Sequence, residues 1–138
     1  MGMYTEIFVK VNFKEDVDKD VIDTIKYMLG DGPAPEYLPS HDLFTTSRWR
    51  FMLQCSSFYH QPMNTSNLYF SDVSKQYYLC CKSDFKNYDG EADKFFDWIK
   101  NHVESYHSFL GYTLYEEDTM PTLYFTDKTV VIDNDYSF

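Results

Sequence analysis

Carboxylates are the most abundant side chains in this sequence that are able to do chemistry, and from Gly111 onward six of them are accompanied by a single basic residue, Lys128. The chain has 22 Asp and Glu against 12 Lys and Arg, a formal net charge of −10. One run is formed by Glu116, Glu117 and Asp118, and another contains Asp133 and Asp135. Paired carboxylates can transfer protons or hold a divalent cation. Neither run has the glycine and alternating oxygen ligands of a calcium loop, so we interpret them as a solvated loop and a solvated tail, which are also available to a recognition surface.

Histidine and cysteine are not spaced for a metal site. His102 and His107 are five residues apart at a predicted helix end, which separates their side chains around the helix. Cys55, Cys80 and Cys81 include no C-x-x-C pair, and three thiols are an odd number for a disulfide framework. We therefore expect buried free thiols, no metal and no cofactor.

The sequence also contains no recognisable motif for nucleophilic catalysis. A nucleophilic Ser, Cys or Thr needs an adjacent base, and no glycine elbow or Gly-rich phosphate loop accompanies any of them here. Cys55 is a candidate nucleophile only if the fold brings a histidine to it. A carboxylate pair is the other candidate. The sequence thus favours a protein that is not an enzyme.

Aromatic residues make up a fifth of the chain, with 13 Tyr, 12 Phe and 2 Trp. Most fall at positions whose spacing predicts a place in the core. Tyr69, Tyr78, Tyr112 and Tyr124 fall on the opposite faces of predicted strands, so helices on one side of the sheet would leave them exposed. An exposed tyrosine buries a large area at little entropic cost, which makes Tyr112 and Tyr124 candidate binding anchors.

A strand and an amphipathic helix open the chain. Residues 5–13 alternate between apolar and polar, the period of a strand with one solvated face. Apolar residues then recur at helical spacing from Val21 to Leu29, after an N-cap at Asp16 or Asp18. Gly30 follows where a helix C-terminal glycine is expected.

A long surface loop is predicted from Asp31 to Ser47, because this segment contains three of the five prolines. Its apolar residues should tether it to the body: Tyr37, Leu38, Leu43 and Phe44. Alternation over residues 48–55 then predicts a second strand. Residues 68–70 and 76–85 predict a hairpin across the polar segment between them.

A second helix, further strands and a polar tail complete the pattern. Residues 87–90 open a helix whose apolar stripe runs from Ala92 to Tyr106. Strands are predicted at 109–116, 123–125 and 129–132, and the tail 133–138 is acidic. The strand–helix–strand order occurs twice, so we predict one α+β domain over residues 1–132. It should be a two-layer sandwich of a mainly antiparallel sheet with two helices on one face, a ferredoxin-like skeleton with extra strands.

The charge and hydropathy of the chain limit the classes of partner that it can have. A net charge of −10 disfavours nucleic acid and anionic membranes, and favours a protein partner with a basic surface. The sequence contains no run of 18 apolar residues and no signal peptide pattern. We therefore expect a cytoplasmic protein.

Several segments resemble one group of proteins. They are Thr5-Glu6-Ile7-Phe8-Val9, the run from Val21 to Gly30, Lys86-Asn87-Tyr88, Phe95-Phe96-Asp97-Trp98-Ile99-Lys100, Phe109-Leu110-Gly111-Tyr112 and Tyr115-Glu116-Glu117. Together they are similar to small, acidic, uncharacterised proteins encoded by bacteriophages and mobile elements of Firmicutes-type bacteria. The resemblance covers most of the chain and implies a mobile-element gene expressed inside a bacterial host cell, without assigning any catalytic residue.

These observations give three hypotheses. The first is a non-enzymatic acidic binding protein, a phage-encoded inhibitor of a bacterial defence system of the anti-CRISPR type. Its carboxylates would occupy a Lys/Arg groove that otherwise binds phosphates. The candidate contacts are Glu116, Glu117, Asp118, Asp133, Asp135, Tyr112 and Tyr124. The second is a homo-oligomeric assembly protein without nucleic-acid mimicry, and the third is a small enzyme.

Overall fold

The computed structural model describes residues 4–55, 65–104 and 107–132, which contain six strands, two α-helices and one 3-10 helix. No helix in these ranges is long and apolar enough to cross a membrane. The elements in chain order are β1 (Thr5–Asn12), α1 (Lys19–Met28), a 3-10 helix (Asp42–Thr45), β2 (Thr65–Ser71), β3 (Gln76–Phe85), α2 (Glu91–Ile99), β4 (Phe109–Tyr115), β5 (Thr122–Phe125) and β6 (Thr129–Val131).

The strands form one antiparallel sheet in the order β2-β3-β1-β4-β5-β6. β1 lies at its centre, between β3 and β4. The first four strands have the order of the ferredoxin-like skeleton, with α1 and α2 in the two strand–helix–strand crossings. β5 and β6 extend the sheet beyond β4. The predicted α+β sandwich with extra strands is therefore confirmed.

One face of the sheet carries the core. Ile7, Val9 and Val11 point to this face from β1, and the apolar sides of α1 and α2 belong to the same buried cluster. α1 contributes Val21 and Ile25, at the spacing that predicted the helix. We call this side of the sheet the helix face and the other side the open face.

Glycine ends α1 as the sequence predicts. The helix begins after Asp18 and closes at Leu29, and Gly30 follows with a φ of +79°. Its amide donates to the Tyr27 carbonyl. A residue with a Cβ would be strained in this left-handed conformation, so glycine at this position lets the chain leave the helix.

The prediction of a strand at residues 48–55 is wrong. This segment is a series of turns in which the Phe51 amide bonds the Arg48 carbonyl and the Gln54 amide bonds the Phe51 carbonyl. Met52 is buried and Phe51 is 55% exposed, the reverse of the predicted alternation. The local turn bonds use the backbone groups that a strand would have offered to a neighbour.

The surface loop from Asp31 to Ser47 is present and contains the 3-10 helix. Leu43 is fully buried and Phe44 packs against the core, as predicted for tethering residues. Tyr37 and Leu38 are 70% and 44% exposed, so the prediction that they also tether the loop is wrong. Both precede the one helical turn that directs side chains inward.

The second helix is shorter than its apolar stripe predicts. α2 ends at Ile99, and Val103 instead forms an isolated β-bridge with Phe13. The Glu104 amide bonds the Asn12 carbonyl, which continues this extended pairing. The β2–β3 hairpin and the strands β4, β5 and β6 are confirmed. The predicted tail 133–138 lies outside the described residues.

Candidate functional site

A groove runs along α2 on the helix face, where β5 and β6 extend the sheet past the helices. Two adjoining cavities form it, with volumes of about 570 and about 330 Å³. Asp93, Tyr124 and Thr129 line both cavities. We call the two cavities together the α2 groove.

The larger cavity, which we call the threonine cavity, lies at the N-terminal end of α2. The strands contribute hydroxyl groups to its wall, including those of Thr113 and Thr122, and the connections on either side contribute Tyr88 and Asp118. Its full lining is Thr5, Asn87, Tyr88, Asp93, Thr113, Tyr115, Asp118, Thr122, Tyr124, Thr129 and Val131. This lining has two carboxylates and no Lys, Arg or His, so it favours a cation over an anion.

The smaller cavity, which we call the lysine cavity, lies toward the C-terminal end of α2. Two of its acids have partners within the chain: Asp97 Oδ1 forms an ion pair with Lys100 Nζ at 2.7 Å, and the Asp127 carboxylate is hydrogen-bonded to the His107 ring. The Lys100 and His41 hydrogen bonds hold the pKa of Asp97 below its usual range. The cavity is lined by Asp93, Phe96, Asp97, Lys100, Tyr124, Phe125, Thr126, Asp127, Lys128 and Thr129.

Tyr124 stands between the cavities and is held from three sides. Its ring stacks on Phe96 at a centroid distance of 4.1 Å, and its hydroxyl donates to the Asp93 carboxylate. Thr113 Oγ1 lies 3.4 Å from the same hydroxyl. Burial and the Asp93 hydrogen bond raise the pKa of Tyr124, so its hydroxyl stays a donor at neutral pH.

The prediction that Tyr124 is exposed on the open face is wrong. Its side chain is 5% exposed and lies on the helix face, because Tyr124 pairs with Gly111 in the sheet register. Tyr112 pairs with Leu123 and points the other way. Tyr124 is thus a fixed part of the groove floor rather than a projecting anchor.

Tyr112 does lie on the open face, together with Tyr69 and Tyr78. Its ring stacks on Phe8 at 5.3 Å, and its hydroxyl donates to the Glu6 carboxylate. Lys82 Nζ is 3.5 Å from the same carboxylate. Burial and the Glu6 hydrogen bond raise the pKa of Tyr112. Intramolecular contacts thus hold both the ring and the hydroxyl of this predicted anchor.

The acidic run after β4 divides between two roles. Glu116 accepts a hydrogen bond from the Tyr4 amide and so fastens the end of β4 to the start of the described chain. Glu117 and Asp118 are exposed, and Asp118 lines the threonine cavity. The other predicted contacts, Asp133 and Asp135, lie outside the described residues.

The thiols occupy three different environments. Cys81 is buried, which raises its pKa to about 12. Cys55 is half-buried, and its pKa is raised by burial and then by the Asp84 charge. Cys80 is exposed, so the prediction that all three thiols are buried is wrong for this residue. A raised pKa disfavours the thiolate that catalysis at Cys55 would require.

Glu91 is a buried carboxylate that supports the N-terminal end of α2. It is fully buried, and its carboxylate accepts hydrogen bonds from the Arg48 and Asp89 amides at 3.0 Å each. The Asn87 side chain caps the Ala92 amide at 3.1 Å. These bonds anchor the turn segment at residues 48–55 to the N-terminus of α2, beside the threonine cavity.

No three His, Cys, Asp or Glu side chains in the described ranges are grouped as metal ligands. The arrangement of the α2 groove therefore suits binding through carboxylates, hydroxyls and aromatic rings. Among described residues, Asp93 and Asp118 form no ion pair, and they are the carboxylates of the groove that are left available to a ligand.

Comparisons with known proteins give no relative: the chain matches no protein-family model, no curated protein and no solved structure. Its fold class follows from its own strand order, in which β4-β1-β3-β2 forms the ferredoxin-like part. Its candidate site follows from the side chains that line the α2 groove.

Proposed function

We propose that this protein is a non-enzymatic binding protein that receives a basic segment of a protein partner in the α2 groove. One observation carries the proposal. The groove is lined by the carboxylates of Asp93, Asp97, Asp118 and Asp127, and the first and third of these form no ion pair with a described residue. A cationic partner would supply the missing counter-charge.

The charge of the whole molecule also favours a positively charged partner. The net charge of −10 attracts a basic surface over a distance and repels nucleic acid and anionic membranes. The two lysines of the groove, Lys100 and Lys128, lie together at the lysine cavity. A basic segment is therefore expected to enter at the threonine cavity, which has no basic residue in its lining.

The narrower proposal is an inhibitor of a bacterial defence effector, carried by a bacteriophage and acting in the cytoplasm of the host. It is supported by the resemblance to phage-encoded acidic proteins together with the groove. The carboxylates would occupy a Lys/Arg surface of the effector and release the counterions that nucleic acid otherwise releases. The protein would thus be an inhibitor of the anti-CRISPR type, and its target would be an effector with a nucleic-acid channel.

Binding of a labelled basic peptide tests the broad proposal. We expect fluorescence anisotropy to give an affinity that falls steeply as NaCl rises, because several ion pairs contribute. The variant Asp93→Asn with Asp118→Asn should weaken binding about tenfold or more, since hydrogen bonds to charged groups are the strong ones.

The matched control changes the same charge elsewhere. Glu15→Gln with Asp16→Asn alters two exposed acids in the β1–α1 connection, away from the groove. This pair should weaken binding by no more than about threefold, because only the long-range field changes. Equal effects of the two double variants would contradict the groove as the binding site.

The narrower proposal has its own measurement. Purified RNA-guided nuclease effectors are incubated with the protein before their DNA target is added, at low salt. We expect at least one effector to lose DNA binding, and the loss to be reversed by the groove double variant. Unchanged DNA binding for every effector tested, with the basic peptide still bound, would reject defence inhibition and keep the broad proposal.

A homo-oligomer is the second candidate, and one feature of the sheet favours it. Tyr69 of the edge strand β2 and Tyr78 of β3 are cross-strand partners on the open face. Their exposed fractions are 59% and 39%. Exposed tyrosines beside an edge strand suit a symmetric contact between two copies. Light scattering separates the homo-oligomer from the peptide-binding protein. A dimer that the variant Tyr69→Ser dissociates, together with no binding of the basic peptide, would favour the homo-oligomer.

A further inference from the structure

The threonine cavity has a more specific chemistry than the groove as a whole. Its volume is about 570 Å³, large enough for a single long side chain with water. Its walls come from separate elements: Asp93 from α2, Asp118 from the β4–β5 connection, and Tyr115 from the end of β4. A ligand group inside it therefore meets carboxylates from more than one direction.

The cavity is unsuited to an anion, although it lies near a helix N-terminus. The Ala92 amide of the first turn of α2 is capped by Asn87. Asp93 also lies in that turn, and its negative charge opposes the positive end of the helix dipole. No lining residue is basic. Phosphate or sulfate would meet two carboxylates that have no basic side chain beside them in the lining.

Aromatic rings on the wall add attraction for a cation. Tyr88 lines the cavity and is 56% exposed. The Arg48 guanidinium lies over its ring, 4.6 Å from the ring centroid. One face of this ring is therefore already covered by a guanidinium of the chain itself, and the exposed remainder of the ring is what a ligand can contact. Tyr115 adds a second ring beside the acidic run, and burial followed by the Glu117 and Glu116 charges raises the pKa of its hydroxyl.

We propose that the threonine cavity binds one arginine side chain of the partner. This inference rests on the proposed function and names the group that the cavity recognises. The planar guanidinium has five donors, so it can reach Asp93 and Asp118 on separate walls while its face packs on a tyrosine ring. The hydroxyls of Thr113 and Thr122 accept the remaining donors. An ammonium group is a point charge and satisfies fewer of these acceptors.

The test uses small probes on the full chain. Backbone amide shifts are followed by NMR during titration with N-acetyl-arginine methylamide, its lysine counterpart and its citrulline counterpart, a neutral isostere. We expect the arginine probe to give saturable shifts at Tyr88, Tyr115 and Asp118, with a Kd of about 1 mM for a ligand of this size. The lysine probe should bind several-fold more weakly, and citrulline should give no saturation.

Two exposed acids provide the matched variants. Asp118→Asn should weaken arginine binding about tenfold, since it removes one charge-assisted partner. Glu117→Gln changes the neighbouring acid, which is outside the cavity lining, and should alter the Kd by less than about twofold. Both positions are exposed, so folding is expected to be unaffected.

The outcomes separate this inference from the proposed function. Equal binding of citrulline and arginine, equal binding of lysine and arginine, or no effect of Asp118→Asn would overturn the arginine site. If those results occur while the basic peptide still binds in a salt-dependent way, the proposed function stands without it. If neither the probe nor the peptide binds, both are rejected.

Discussion

Tyrosine hydroxyls hold carboxylates in place on both faces of the sheet. Tyr124 donates to Asp93 in the groove, and Tyr112 donates to Glu6 on the open face. Burial and these hydrogen bonds raise the pKa of both tyrosines, so neither gives up its proton near neutral pH. Each pair orients a carboxylate without neutralising it. The charge that the groove presents at Asp93 is thus positioned before any ligand arrives.

Thiol labelling tests the three cysteine environments. We expect one thiol per native molecule to react rapidly at about pH 8, because the thiolate is the reactive form and only Cys80 is exposed. Cys81, with a pKa of about 12, and Cys55, with a raised pKa, should react slowly. A colorimetric thiol assay measures this. All three should react in denaturant, and a rapid phase that persists in Cys80→Ser would contradict the assignment.

His102 should make the stability of the protein depend on pH, at pH values below the pKa that this histidine has in the unfolded chain. Burial lowers its folded pKa from the ordinary 6.5, so the unfolded chain binds this proton more readily. The contribution to stability is then complete above about pH 6.5 and is lost as pH falls toward the folded pKa. We expect the free energy of unfolding of His102→Gln to vary less with pH in this window than that of the wild type, as measured by urea unfolding. Identical pH profiles would show that other groups set the dependence.

At the scale of elements, α2 organises the site. Its N-terminus binds the turn segment through Glu91, its exposed side forms a wall of the groove, and Phe96 packs over Gly111 of β4. His41 connects the surface loop to the same helix through Asp97 at 2.9 Å. A change in the position of α2 would therefore alter the groove, the loop and the turns together.

Gly111 should be one of the least replaceable positions in the sheet. A Cβ there would lie 1.8 Å from the Phe8 carbonyl oxygen and 3.1 Å from Phe96. Gly111→Ala is expected to lower the free energy of unfolding by about 3 kcal/mol or more, since backbone atoms must move. Gly32→Ala is the control: its nearest contact is Lys26 Cβ at 3.4 Å, and its effect should stay within about 1 kcal/mol. Similar losses in urea unfolding would contradict this explanation.

Leu43 should fasten the surface loop to the core. It is fully buried, whereas Leu38 in the same loop is 44% exposed. Leu43→Ala is expected to cost about 2–5 kcal/mol of stability through lost burial and a cavity. Leu38→Ala, the same chemical change, should cost less than about 1 kcal/mol. Chemical unfolding of the two variants gives the comparison, and equal costs would mean that the loop is tethered elsewhere.

At the scale of the whole molecule, the net charge of −10 works against the compact state. Repulsion among carboxylates is screened by salt, so the Tm is expected to rise between about 20 mM and about 300 mM NaCl. Calorimetry measures the shift, and sucrose at equal osmolality is the control for solvent effects. A Tm that falls with salt would mean that ion pairs such as Lys19–Asp23 and Lys100–Asp97 outweigh the repulsion.

Local periodicity was sufficient for most of the elements. Alternation over residues 5–13 and helical spacing from Val21 to Leu29 predicted β1 and α1, because one buried face imposes its period on the sequence. The segment 48–55 also alternates and yet forms turns. Trp49, Met52 and Leu53 of this segment are all buried in the core, and Trp49 contacts Tyr27 of α1 and Phe44 of the 3-10 helix. Periodicity reports burial and does not identify the neighbour.

The amino-acid sequence by itself determined the acidic charge, the free thiols, the two helices and the α+β class, since these depend on composition and on local patterns. Only the tertiary structure decided which acids share a site. Asp93 and Asp118 come from distant parts of the chain and meet at one cavity because β4 and β5 run beside α2. It also placed Tyr124 against Phe96 and Tyr112 on the opposite face. Register across strands sets that choice, and no single strand's sequence contains it.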